Sequence, residues 1–335
     1  MSMSYSINIV MLKFCSQAYD TITIRENGDV YPCLCPGWHT YHPIGNVSSK
    51  SLHDVFNNNQ HSKFQSTIID QTFQYCKKDG CANLWNLPTV ENLNPPELTL
   101  PTALNLQLDL DCNLQCDMCR NHLIWSKKPN TIAEKILNQL IDDYKDFNKD
   151  VWVQCDTVGD VFVSTAYKNF FWRDDIPSCF QFNLSTNGNL ITKSIDMIEK
   201  IKDQIFSVCV SLDAANIDTY KQVRGGKFEI VLEGLKVLKD IGIPRVTTSF
   251  VVQQRNHKEI LPFYYLCKEY DVNYISYGEV AFGSHMTSEW WAKNQVRDND
   301  LVDYNYLIDA LKFVKNDPEV GLCGRLEYLI DSKKN

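Results

Sequence analysis

The chain has 335 residues, 44% of them hydrophobic, and carries a formal net charge of −8 with a pI near 5.4. That length fits two domains or one large α/β domain, and the acidic balance excludes a broad phosphate-binding face, so no nucleic-acid partner is expected. The N-terminal "MSMSYSINIVMLKF" lacks a basic region and a long apolar stretch, and no run reaches the length of a bilayer span. A cytoplasmic protein with no membrane partner is therefore expected, and in a reducing compartment its thirteen cysteines are read as metal ligands before disulfides.

The first hundred residues gather cysteines around a turn. "CSQAYDTITIRENGDVYPCLCPGW" places Cys15 before, and Cys33 and Cys35 after, a hairpin whose Asn27-Gly28 is a strong turn signal. "IGNVSSKSLHDVFNN" follows, and "FQYCKKDGC" then adds Cys76 and Cys81. Cysteines on strand ends and in a downstream loop can converge on one metal centre, either an iron–sulfur cluster or tetrahedral zinc. His39, His42, His53 and His61 lie in a polar region and are expected at the surface. "NLPTVENLNPPELTLP" (86–101), with four prolines, reads as a semi-rigid connector.

Immediately beyond it, "LDLDCNLQCDMCR" carries Cys112, Cys116 and Cys119 in a C-x₃-C-x₂-C spacing. Thirteen cysteines in 335 residues would produce that spacing by chance about 0.02 times. Three thiolates on one loop suit an iron–sulfur cluster with one iron left open to a ligand. "CNLQCDMC" resembles the cluster loop of radical S-adenosylmethionine (SAM) enzymes. The resemblance implies a [4Fe–4S] cluster on Cys112, Cys116 and Cys119, with SAM on the open iron. It also implies reductive cleavage of SAM to a 5′-deoxyadenosyl radical that abstracts a substrate hydrogen, fed by a flavodoxin- or ferredoxin-type electron donor. Met118 stands where the family often has an aromatic residue, and it can pack there.

The rest of the chain reads as βα units. Strand-like runs at 102–110, 150–156, 179–185, 206–213, 245–253 and 271–280 alternate with amphipathic helical segments. Thr131 with Glu134, and Asn256 with Glu259, are possible capping boxes. Six such units predict an α/β fold, and the resemblance makes it a partial (β/α)6 TIM-like barrel, the radical SAM core. Its mouth is at the C-terminal ends of the strands, where the cysteine loop follows the first one.

Later strand ends carry further family-like residues. "TVGD" (157–160) takes the place of the Gly-Gly-Glu-Pro motif that meets the SAM amino group, which implies that role for Gly159 and Asp160. "STNG" supplies Ser185 and Asn187. Ser211 and Asp213 in "SLDA", with Arg224 in "QVRGG", resemble residues that approach the SAM ribose or carboxylate. On the fifth strand, the resemblance implies that Val252 packs on adenine and that Asn256 bonds near it. Cys209 shares a strand face with Ser211 and Asp213, and Cys155 lies near a strand end; both are candidate hydrogen donors. Cys179, Cys267 and Cys323 are expected in packing. Glu279, His285, Trp290 and Trp291 border the mouth as candidate substrate contacts.

Cys15, Gly28 and Cys33 fit the C-x₉₋₁₅-G-x₄-C opening of SPASM or twitch modules, which resemble this segment in carrying an auxiliary iron–sulfur cluster. The resemblance implies one auxiliary cluster, [4Fe–4S] in type, on Cys15, Cys33, Cys76 and Cys81, with Cys35 as an alternative ligand. Here the module precedes the barrel. The expected organisation is a small cysteine-rich α+β domain at 1–88, a linker at 89–101, and the core with a C-terminal helical extension at 102–335. No peptide-leader-binding segment is recognised. The expected activity is radical modification of a peptide or protein. The alternatives are radical chemistry on a sugar or other small metabolite, and a non-catalytic iron–sulfur or zinc protein.

Overall fold

The computed structural model describes residues 11–34, 42–76, 81, 84, 87–119, 122–126, 128, 130–155, 158–280, 286–297 and 299–331. The chain divides into two compact units, residues 1–108 with 131–153, and residues 109–130 with 154–335.

The first unit contains β1 (Leu12–Lys13), β2 (Thr21–Arg25), β3 (Asp29–Pro32), β4 (Gly45–Asn46), β5 (Thr89–Val90), β6 (Ala103–Gln107) and the start of β7 (Val151–Cys155). β1 pairs with β5, and the remaining strands run in the order β7-β6-β2-β3-β4. The Asn27-Gly28 hairpin forms as predicted: Gly28 adopts φ 83°, its N–H donates to the Arg25 carbonyl at 2.8 Å, and β2 and β3 pair antiparallel. β2 also pairs in parallel with β6, from Thr21 opposite Ala103 to Arg25 opposite Gln107. This explains why the first predicted barrel strand packs with the N-terminal segment. The helix Thr131–Tyr144 joins the same unit, with Tyr144 donating to the Pro101 carbonyl at 2.7 Å. Thr131 is its first helical residue rather than its cap.

His61 corrects one sequence expectation. It is buried on the helix Asn59–Ile69, on the face that carries Phe64 and Ile68, and its ring nitrogens meet the carbonyls of Phe56 and Ala18 at 2.6 and 3.0 Å. Helical spacing puts His61, Phe64 and Ile68 on one stripe, so a locally polar composition hides an inward position. Burial lowers its pKa.

The second unit is built on β8 (Phe180–Thr186), β9 (Ile205–Ser211), β10 (Val246–Val252), β11 (Tyr274–Glu279) and β12 (Val320–Cys323). Neighbours in this order pair in parallel, as the alternation with helices predicts. β12 lies outside the sequence reading; it is short and half exposed, and it extends the sheet beside β11. On β8 to β10 one face is mostly large and apolar. Phe180, Phe182 and Leu184 on β8, Val208 and Val210 on β9, and Phe250 on β10 are fully buried, each contributing about 1.5–3 kcal/mol. Phe250 packs on Phe263 of the helix Ile260–Glu269 and on Tyr277, with ring centroids 4.7 and 5.5 Å away. The other face is small and polar: Ser207 donates to Asn183 at 2.7 Å, and Ser249 donates to Ser211 at 3.2 Å. Cys267 is buried, as expected of a packing residue, whereas Cys323 is exposed on β12.

Gly242, at φ 84°, closes the helix Phe228–Ile241 in the left-handed conformation that glycine adopts without strain. The second capping box does not form. Asn256 accepts from the Gln253 N–H and donates to the Asp213 and Val251 carbonyls, while Glu259 accepts from the Ala215 N–H at 2.6 Å and from Asn216 at 2.7 Å. Tertiary partners outbid the local cap. Among the described residues no helix is long and apolar enough to cross a membrane.

Candidate active site

A cavity of about 460 Å³ opens within the second unit at the C-terminal ends of its strands. The 112–119 loop forms one wall and is tied to itself and to its surroundings by backbone and buried carboxylates. The Cys112 N–H donates to the Ile124 carbonyl at 2.7 Å. Asp111 accepts from the Ser126 N–H and hydroxyl, both at 3.0 Å, and Asp109 accepts from the Ser164 hydroxyl at 2.7 Å. Cys112 and Cys116 are buried with Leu114, Met118 packs against them, and Cys119 is exposed. All three cysteines and Met118 line the cavity.

Among the described residues no three His, Cys, Asp or Glu side chains already stand as a metal-holding group. The donor set nevertheless fits an iron–sulfur cluster. Three soft sulfur ligands share one wall, and N–H donors already approach two of them, Asn187 Nδ2 at 3.6 Å from Cys112 Sγ and Arg224 Nη1 at 4.0 Å from Cys116 Sγ. Burial pushes the Cys116 thiol up to about 11, with Arg224 pulling it back. Ligation would displace that proton.

Asp213 and Arg224 form the most buried ion pair of the site. Arg224 Nε and Nη2 each reach Asp213 Oδ2 at 2.7 Å, and Oδ1 accepts from the Val251 N–H at 2.7 Å. Burial works against the guanidinium charge, but Asp213 and the Cys116 sulfur outweigh it, and the pKa of Arg224 is raised. Arg224 lines the cavity; Asp213 stands behind it, at φ 58° just past β9.

Gly159, Ser185, Asn187, Ser211 and Cys209 line the cavity. Asp160 does not face a ligand there. It is fully buried and accepts from the Phe162 N–H at 3.0 Å, the Thr186 hydroxyl at 2.9 Å and the Asn187 N–H at 2.7 Å. Burial raises its pKa against the pull of those donors. Its carboxylate holds the turn after β8.

The fifth-strand assignment is off by one residue. Buried positions on β10 alternate through Val246, Thr248, Phe250 and Val252, so Ser249 and Val251 face the cavity and Val252 is turned away. Asn256 is buried in the hydrogen bonds given above. Cys155 falls on the buried face of β7 with Val151 and Val153, outside the cavity. Burial raises the pKa of Cys209 and keeps it a thiol.

Glu279 lines the far side, ion-paired with Arg297, whose Nε lies 2.7 Å from Oε2. Trp290 and Trp291 are half-buried on the helix Ser288–Asn294 and do not line the cavity. Cys35 and His285 lie outside the described residues. The sequence reading missed Thr186, Ser249 and Val251; for the last two, the pairing of Ser211 with Ser249 carries the signal. In the first unit Cys33 is buried at φ 57°, and Cys15, Cys76 and Cys81 are half-buried.

Comparison with known proteins places these features in context. Residues 110–264 match the family described as the Radical SAM superfamily, and residues 15–100 match SPASM, an iron–sulfur cluster-binding domain. A probable GTP 3′,8-cyclase of Saccharolobus islandicus is 24% identical over 260 residues, covering 69% of this chain and 80% of that relative. The crystal structure of Streptococcus suis SuiB bound to the precursor peptide SuiA matches 97% of this chain and 76% of its own, with a TM-score of 0.50 and 15% identity. A SuiB structure bound to S-adenosylmethionine matches 81% of this chain at a TM-score of 0.48 and 16% identity, and this chain spans only 57% of that one.

Proposed function

Since the chain belongs to the radical SAM superfamily and carries an N-terminal SPASM domain, we propose that it is a radical SAM enzyme that modifies a peptide or protein. The core binds a [4Fe–4S] cluster and SAM, and the SPASM domain binds an auxiliary iron–sulfur cluster. When bound, the cluster supplies the electron that cleaves SAM to methionine and a 5′-deoxyadenosyl radical. Cys112, Cys116 and Cys119 would hold it, Gly159 allows close backbone approach, and Ser185, Ser211 and Arg224 offer polar contacts to SAM. For a reaction that returns a hydrogen to its substrate, Cys209 is the thiol that faces the cavity. A flavodoxin- or ferredoxin-type protein in the cytoplasm would supply electrons.

The observation that supports a peptidyl substrate is the match to SuiB with its precursor peptide across both modules, 97% of this chain. Reduced enzyme with SAM should therefore release deoxyadenosine faster in the presence of candidate peptides, by about tenfold, and shift the peptide's mass. The cyclase relatives favour a second reading, a nucleotide or other small metabolite. Stimulation by GTP or by sugars, with peptides inert, would replace the first reading with the second.

The auxiliary cluster is assigned to Cys15, Cys33, Cys76 and Cys81, with Cys35 as an alternative ligand, in a domain spanning 1–88 that the 89–101 linker joins to the core at 102–335. Cys76→Ala with Cys81→Ala should remove about four irons per chain, leaving SAM cleavage without substrate intact and substrate turnover lost. Full iron in the double variant would show that these two are not ligands.

A further inference from the structure

Resting on the assignment of a cluster to Cys112, Cys116 and Cys119, we propose that Asn187 tunes the reduction potential of that cluster through an N–H···S hydrogen bond to Cys112, and that buried Asp160 is the positioning residue that holds it there. The orientation of the Asn187 amide is set by its own partners. Oδ1 accepts from the Asn189 N–H at 3.0 Å and from Asn189 Nδ2 at 3.1 Å. The other end must then donate, and Nδ2 does so to Asn113 Oδ1 at 2.7 Å and to Cys112 Sγ at 3.6 Å. An amide has one acceptor end and one donor end, so a flip would break four contacts at once.

The backbone beneath it is equally constrained. Asp160 Oδ2 takes the Asn187 N–H and the Thr186 hydroxyl, and the Asp160 N–H donates to the Asp111 carbonyl at 2.9 Å, next to Cys112 itself. One residue thus ties the turn after β8, through its carboxylate, to the root of the cysteine loop, through its backbone N–H. Gly188, at φ 82°, completes the turn; a Cβ there would come within 2.6 Å of Val231. Donors to cluster sulfurs stabilise the more negative, reduced state and raise the potential. Arg224 Nη1, at 4.0 Å from Cys116 Sγ, would act in the same direction.

Asn187→Asp separates this role from mere turn formation. The aspartate still accepts from Asn189 but can no longer donate to sulfur. The reconstituted full-length protein should keep the iron content of the unaltered chain, while the cluster whose EPR signal responds to SAM becomes harder to reduce. At a fixed solution potential near the midpoint, its reduced-to-oxidised ratio should fall about tenfold, equivalent to about 59 mV for a one-electron couple. Asp160→Asn, which replaces one acceptor oxygen with a donor, should shift the ratio in the same direction by a smaller factor. An unchanged midpoint in Asn187→Asp at full iron content would overturn the proposal.

A measurement on the unaltered protein serves if that variant fails to hold iron. Labelling asparagine side-chain amides with ¹⁵N should produce a nitrogen coupling to the reduced, SAM-free cluster in pulsed EPR, and its absence would also overturn the proposal. Should the unaltered chain bind no cluster and cleave no SAM, the assignment of the site itself has failed, an outcome distinct from a cluster that forms and ignores Asn187.

Discussion

Replacing Cys112, Cys116 and Cys119 together with alanine is expected to abolish deoxyadenosine formation, down to the level of enzyme-free controls, and to remove about four irons per chain. The proposed chemistry requires all three sulfurs, whereas the contacts that set the path of the loop run through backbone and carboxylates. The loop is held by the Cys112 N–H on Ile124, by Asp111 on Ser126 and by Asp109 on Ser164, and none of these contacts uses a thiol. Removal of the sulfurs leaves small voids beside Leu114, at a cost of about 1 kcal/mol each for the two buried ones. The variant should therefore unfold only modestly earlier than the unaltered apo-protein while losing all SAM cleavage. Retained SAM cleavage would sink the assignment of the site. Collapse of the fold would mean that the loop depends on its thiols.

Arg224→Ala should produce the largest stability loss available within the cavity wall. It strands the Asp213 carboxylate at 0% exposure, with only the Val251 N–H left to it among the contacts described above. Removing one partner of a buried pair costs about 3–5 kcal/mol, because the remaining charge keeps its desolvation penalty. Asp213→Asn should destabilise as well: asparagine tolerates the left-handed backbone at φ 58° and can still accept from Val251, but it then turns its amide N–H toward Arg224 and leaves the buried guanidinium without its counter-charge. The double variant Asp213→Asn with Arg224→Ala should recover part of the single Arg224 loss, since no charge is left stranded. Urea unfolding of the apo-protein, followed by far-UV circular dichroism, measures all three. A loss below about 1 kcal/mol in Arg224→Ala would mean that water or a neighbour reaches Asp213 and that the pair is not dry.

Periodicity carried most of the fold. The alternation of β-branched and aromatic runs with capped amphipathic segments located β6 to β11, and strand parity put Cys209 and Ser211 on the cavity face. Where the reading failed, parity or partnership was the reason. Val252 and Val251 are chemically alike, so only the register against β9 decides which one faces inward. The resemblance implies a ligand-binding role for Asp160, but its partners, Thr186 and Asn187, come from the next strand's turn, a contact that spacing along the chain does not reveal. His61 was read from its neighbours' polarity, although its helical stripe points into the core. β12 is four residues with little alternation, and only its pairing with β11 makes it a strand.

The self-tied cysteine loop has a consequence for life in air. Because Ile124, Ser126 and Ser164 hold its path through backbone and carboxylate contacts, a cluster bound there as proposed should leave without the loop losing its course. Oxygen damage at such a centre should then be a bleaching, not a denaturation. A chain stripped of iron should remain a vessel that can be refilled by iron, sulfide and a thiol reductant, with no refolding step between the empty protein and the restored one.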